Sequence, residues 1–215
     1  MAAMDLIPAP SPRSGIDFDG GAAPATQAAA PALPLIVPGW RDSGPGHWQT
    51  LWAERLPGAQ RVRQDDWVHP ARQAWVASLG RHILHAGRPV VLVAHSLGCI
   101  AVAHLSRDVL ARVKGALLVA PADPERRAVL GDFAPVPCTA LPFPSIVVAS
   151  SNDPYCPVRL AGAYARAWGS ELVRLSHAGH INVESGHGEW PLGLALLRSL
   201  LELPVADAAA RPAAG

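Results

Sequence analysis

The sequence predicts a three-layer α/β sandwich, with helices on both faces of a mainly parallel six-stranded sheet and no large cap domain. Three observations carry that expectation. Short, continuous apolar runs alternate with segments of helical period, and strands covered on both faces read as such runs. Half of the 215 residues are apolar and 16% are charged, enough for one sizeable core in a chain of one-domain length. One apolar run, Val90 to Ala94, breaks into a tight small-residue turn with a serine at its apex and continues as a helix.

Met1 to Ala32 is rich in Ala, Pro, Gly and Ser and carries Asp5, Asp17 and Asp19. A disordered leader is expected over residues 1–32, and a basic region followed by an apolar one, the mark of a secretory signal, is not found there. Residues 204–215 are Ala/Pro-rich again and are expected to fray as a disordered tail. The folded domain is therefore expected over residues 33–203.

Leu33–Val37 reads as a buried strand ended by Pro38-Gly39, and Trp40 to Trp48 as a long turn dense in Gly and Pro. A helix is expected from His47 to Arg55, with Trp48, Leu51 and Trp52 on one face and Pro57-Gly58 as its stop. Ala59 to Val62 is a weak strand candidate. His69-Pro70 opens a second helix whose Trp75, Val76, Leu79, Ile83 and Leu84 keep helical spacing, with Gly87 as its cap. Pro89 to Ala94 is the next strand and Leu97 to Leu110 the next helix, followed by a strand over Gly115 to Ala120. Pro121 to Pro144 is Pro-rich and irregular, with one helical turn around Pro124 to Leu130. Ser145–Ser150 is a strand, and Pro157 to Trp168 a helix with the proline at its first position. Glu171–Leu175 is the last strand, and Trp190 to Leu203 the closing helix.

The net charge of +1, without a long basic run, argues against a nucleic-acid partner or an anionic membrane surface. No stretch approaches the roughly 18 apolar residues that cross a bilayer. The three cysteines, Cys99, Cys138 and Cys156, are widely spaced and offer no disulfide framework. That usage fits a reducing, cytoplasmic setting.

The chemistry centres on Ala94-His95-Ser96-Leu97-Gly98. It is a variant of Gly-x-Ser-x-Gly, the strand–turn–helix elbow that lifts a nucleophilic serine above a sheet. The flanking positions must be small because strand and helix pass closely there, and Ala94 meets that need as well as Gly98. A helix-capping role alone would also place Ser96 there. The loops after later strands carry an acid and a base: Asp153 in Ser151-Asn152-Asp153-Pro154-Tyr155-Cys156, and His180 in Ser176-His177-Ala178-Gly179-His180-Ile181-Asn182. Ser, Asp, His is the α/β-hydrolase order, so the sandwich is expected to be α/β-hydrolase-like. A serine hydroxyl needs a base to take its proton. His180 supplies that base, and Asp153 would hold its tautomer. The backbone N–H groups of Leu97 and Trp40 are the expected oxyanion-hole donors.

Asp123 is the rival acid, but Asp123-Pro124-Glu125 already reads as a helix cap and first turn. His177 and His187 are rival bases. As metal ligands, His177, His180 and His187 lack a companion carboxylate or cysteine at helical spacing, so no metal is expected. His95 reads as a structural histidine, and His69, His82, His85 and His104 as helix-surface or helix-start residues. Among the seven tryptophans, Trp52, Trp75, Trp168 and Trp190 fit core faces. His47, Trp48 and Trp67, with Trp40, are candidates for lining a substrate pocket, or for clamping their loop.

Pro38-Gly39-Trp40, Ser43-Gly44-Pro45-Gly46-His47-Trp48-Gln49, the elbow, the Asp153 loop and Gly179-His180-Ile181-Asn182 with Ser185-Gly186 together resemble one family. It is the small serine-hydrolase family of retinoblastoma-binding protein nine and the bacterial YdeN-like hydrolases. The resemblance spans about Leu33 to Leu203. It implies a compact α/β-hydrolase fold without a large cap, a triad at Ser96, Asp153 and His180, and neither metal nor organic cofactor. The Leu-x-Cys-x-Glu signature of retinoblastoma binding is absent, so no partner of that type is expected. The expected activity is cleavage of a small carboxylic ester, or an amide in an aminopeptidase-like variant, through an acyl-enzyme on Ser96. The alternative from another class is a binding or scaffold protein that keeps the fold without the reaction.

Overall fold

The computed structural model describes residues 31–203; the expected leader, but for Pro31 and Ala32, and the expected tail lie outside the described residues. The strands are β1 (Leu33–Val37), β2 (Gln60–Arg61), β3 (Val90–His95), β4 (Val113–Val119), β5 (Ser145–Ser150) and β6 (Glu171–Leu175). They form one sheet of six in the order β2-β1-β3-β4-β5-β6, with every neighbouring pair parallel. The helices are α1 (Trp48–Arg55), α2 (Arg72–His85), α3 (Leu97–Ala103), α4 (Arg107–Leu110), α5 (Val158–Trp168) and α6 (Pro191–Glu202).

Strand β3 lies centrally and explains its own composition. Val90, Leu92 and Ala94 face a core shared with Trp75 and Leu79 of α2, Ile100 of α3 and Trp168 of α5. Val91 and Val93 face a second core built on Trp48 and Trp52 of α1 and Leu197 and Leu200 of α6. Side chains alternate across a strand, so a strand buried on both faces must be apolar at every position. The four expected core tryptophans, Trp52, Trp75, Trp168 and Trp190, are all buried.

Several boundaries differ from expectation. The single helix expected over Leu97 to Leu110 is two: α3 ends at Ala103, and Ser106 is extended (φ −67°, ψ 156°) before α4. Leu105 and Leu110 stay buried across the break, which is why the apolar spacing read as continuous. His104, expected on a helix surface, turns inward at that break, and its Nε2 donates to the Phe133 carbonyl at 2.9 Å. Leu84 is 52% exposed: Leu79 and Ile83 already take the core-facing stripe, and the next residue is rotated by about 100°. The segment over Pro121 to Pro144 holds two 3₁₀ turns, Pro124–Arg126 and Ala128–Phe133, anchored by buried Leu130 and Phe133. Pro157 is the N-cap of α5 rather than its first residue, with ψ 137°. Because the strands are parallel, the loops after β1, β3, β4, β5 and β6 gather at one edge, where sites of open α/β sheets form.

Candidate active site

Ser96 sits between β3 and α3 at φ 54°, ψ −121°, a strained conformation for a residue with a Cβ. The backbone around it is fixed: its N–H donates to Val119 O at 3.0 Å, and its carbonyl accepts from Cys99 N at 3.0 Å. Its side chain makes no capping bond to α3, so the capping role is not the one its hydroxyl fills. Close packing explains the small neighbours. A Cβ on Gly98 would lie 2.5 Å from Val37 O and 2.8 Å from Pro38 O, and one on Gly39 would lie 2.8 Å from Ser96 Cβ. Ala94, in the place of the motif's first glycine, is fully buried. Leu97 opens α3, so its N–H has no partner within the helix. The Gly39-Trp40 turn passes beside it, with a Gly39 Cβ falling 3.3 Å from Leu97 N.

His180 lies across the same cavity. Its Nδ1 is 3.0 Å from Asp153 Oδ1 and 2.9 Å from Oδ2, with side chains only 9% and 3% exposed. Asp153 Oδ1 also accepts from Tyr155 N at 2.8 Å, and the Tyr155 ring packs on His180 with centroids 4.5 Å apart. A carboxylate bonded to Nδ1–H leaves Nε2 as the basic end of a neutral imidazole. No hydrogen bond joins Ser96 Oγ to His180 in this structure, although both line one cavity of about 360 Å³; nucleophile–base bonds often tighten only when substrate is bound.

The Asp153 and His180 loops are laced together by Ser150, Ser151 and Asn152, to which the sequence assigns no role, and by His95, which it reads as structural. Asn152 Oδ1 accepts from Gly179 N at 2.8 Å, Ser150 Oγ from Ala178 N at 2.9 Å and Ser151 Oγ from His177 N at 2.9 Å. Buried His95 donates from Nε2 to the His180 carbonyl at 2.9 Å. Gln49, fully buried, donates to Val37 O and Val93 O at 3.1 and 2.8 Å and accepts from Ser43 Oγ at 2.6 Å. It thereby ties the turn after β1 to the ends of two strands. Short polar side chains beside strand ends were the available signal, but their partners are far away in sequence.

The other candidates separate clearly. Trp40 and His47 line the cavity, whereas Trp48 and Trp67 do not. Trp48 begins α1 and points into the core, donating from Nε1 to Ile181 O at 2.9 Å. It thereby holds the loop that carries His180. Trp67 packs edge-on against Trp75 at 5.5 Å, and its carbonyl accepts from Arg41 N at 2.9 Å, which clamps the loop. His177 is exposed and bonded to Ser176 Oγ, and His187 lies by Ser185 and Trp190. Asp123 lines the cavity but caps the first 3₁₀ turn, accepting from Glu125 N at 3.1 Å. Among the described residues, no group of three or more His, Cys, Asp or Glu stands together as a metal site.

Two further imidazoles border the site. His47 caps α1 by accepting from Gln49 N at Nδ1, which leaves its proton on Nε2. Burial, then the charge of Arg61, lowers its pKa from 6.5 to about 4. Burial, then the neighbouring His180 and His47 rings, holds His95 well below its ordinary value. An unfolded chain protonates both rings between pH 6.5 and 4, where the folded chain keeps His47 neutral. The resulting stabilisation is fully present above about pH 6.5 and is lost as pH falls toward 4. His47→Asn keeps a capping oxygen but removes one titration. Urea unfolding across that range should therefore show a shallower rise of stability with pH, by up to about 3 kcal/mol in total. An unchanged slope would count against the assignment.

An α/β sandwich with a serine elbow and an imidazole–carboxylate pair at the adjoining strand ends defines the class of α/β-hydrolase-fold proteins. Residues 34–199 match the family described as serine hydrolase, and the chain belongs to that family. It is similar to a YdeN-like hydrolase from Pectobacterium atrosepticum, at 38% identity and a TM-score of 0.72, covering 80% of this chain and 91% of that one. The ydeN product of B. subtilis is 23% identical, with a TM-score of 0.64 over 80% of this chain and all (100%) of its own. Est1E from Butyrivibrio proteoclasticus shares the fold at 14% identity, with a TM-score of 0.63 over 80% and 88% of the two chains. No curated protein matches the sequence.

Proposed function

We propose that the chain hydrolyses a small carboxylic ester through an acyl-enzyme on Ser96. The supporting observation is the pairing of both Asp153 carboxylate oxygens with His180 Nδ1 at 2.9–3.0 Å, in the cavity that Ser96 lines. His180 Nε2 takes the hydroxyl proton as Ser96 Oγ attacks the acyl carbon, and Asp153 stabilises the imidazolium that forms. The N–H groups of Leu97 and Trp40 receive the developing oxyanion. Collapse of the tetrahedral species expels the alcohol, which leaves with the proton from His180. A water molecule then gives a proton to His180 as it attacks the acyl carbon, and His180 returns that proton to Ser96 Oγ as the acid leaves.

The cavity volume of about 360 Å³ suits a small substrate, and the site needs no metal for any of these steps. Amide hydrolysis of an aminopeptidase type would use the same groups. The three free cysteines accord with a reducing, cytoplasmic setting. Assay of p-nitrophenyl esters of rising acyl length, beside aminoacyl p-nitroanilides, tests the reading. Turnover should be highest for short acyl esters and fall as the chain outgrows the cavity. Absence of turnover on every ester would favour a binding role for the fold.

A further inference from the structure

The lining of this cavity carries unusual charge for a site that takes small esters. Arg41, Arg126 and Arg127 all line it. Among the described residues none of the three lies within 4.0 Å of a carboxylate. The carboxylates nearby are otherwise engaged: Asp42 pairs with Arg61, and Asp123 caps a 3₁₀ turn. Glu184 alone among the lining carboxylates has neither duty, so three arginines share the cavity lining with one uncommitted carboxylate.

Arg127 is the best placed of the three. It separates the two 3₁₀ turns of the segment after β4. Its Cζ lies 4.9 Å from the Tyr155 ring centroid and 5.6 Å from that of Trp40. Trp40 follows Gly39, which abuts Ser96, and Tyr155 packs on His180. The guanidinium therefore lies beside two aromatic rings, one on the residue after Gly39 and one packed on His180. Aromatic contact satisfies the faces of a guanidinium and leaves its in-plane N–H fork unspent. That fork fits a carboxylate in two parallel hydrogen bonds.

We infer that the substrate carries a second, anionic group, a carboxylate remote from the scissile ester, and that Arg127 binds it, with Arg41 and Arg126 adding to the local positive potential. This rests on the reading of Ser96 as the nucleophile and narrows its substrate to half-esters of dicarboxylic acids or esters of similar charge. Arg126 donates to the Pro154 carbonyl at 3.4 Å and Arg41 stacks on Trp40 at 4.4 Å, so neither charge is neutralised, and both draw such a substrate toward the mouth.

The test compares mono-p-nitrophenyl glutarate with its methyl-capped analogue, which has the same reach without the charge. Rates are taken above the background of Ser96→Ala. The free acid is expected to show a kcat/KM advantage of about tenfold or more, carried by KM, and the advantage should shrink as salt rises. Arg127→Gln should bring the two esters to within about twofold of each other, and Arg127→Lys, which keeps the charge but not the fork, should fall between. A ratio at or below one in the unaltered protein, or a ratio unmoved by Arg127→Gln, overturns the inference while leaving the hydrolase reading intact. If neither ester is turned over and a fluorophosphonate does not label Ser96, the hydrolase reading fails and this inference with it.

Discussion

Asp153→Asn is expected to lower kcat on a p-nitrophenyl ester by about 10⁴-fold, the size seen when a triad carboxylate becomes an amide. An amide can present an N–H to His180 Nδ1, which favours the tautomer with its proton on the wrong nitrogen and removes the charge that stabilises the imidazolium. The bidentate contact at 2.9 and 3.0 Å makes Asp153 the only carboxylate bonded to that ring among the described residues. Asp123→Asn keeps a capping oxygen and should cost less than about tenfold in kcat, because Asp123 bonds to Glu125 N instead. Steady-state kinetics of the two variants decide the matter; the larger loss at Asp123 would reassign the acid.

Gly98→Ala should destabilise the fold by about 3 kcal/mol or more, or prevent folding. The added Cβ would meet Val37 O at 2.5 Å and Pro38 O at 2.8 Å, both backbone atoms of the neighbouring strand end. Neither can move without opening the β1–β3 pairing. Gly131→Ala is the control, because a Cβ there meets nothing within 4 Å, and its effect should stay within about 0.5 kcal/mol. Urea unfolding compares the two. Equal stability of Gly98→Ala and the parent would mean that strand and helix do not pass as closely as the elbow requires.

The sheet was legible because its strands are covered on both faces. Continuous runs such as Val90 to Ala94 admit few other readings, and helical spacing marked α2, α5 and α6. The elbow was legible for a related reason: close backbone approach restricts Gly98 to the smallest residue, and Ala94 is fully buried. Long-range pairing was not legible. Trp48 follows His47 directly, yet one turns into the core and the other borders the cavity, since adjacent residues at a helix start point in different directions. Gln49, Asn152 and Ser150 take their importance from partners in other loops, which composition and spacing do not record. Arg127 lay in an irregular stretch without periodicity, and only the fold brings it beside Trp40 and Tyr155.

The proposed hydrolysis depends first on Ser96 being a nucleophile activated within this cavity. Incubation of the folded chain with a fluorophosphonate, followed by peptide mass spectrometry, tests it most directly. One covalent adduct is expected, on Ser96, formed in the parent chain and absent from an equally folded Ser96→Ala variant. An unlabelled parent, or equal labelling of parent and variant, would contradict it.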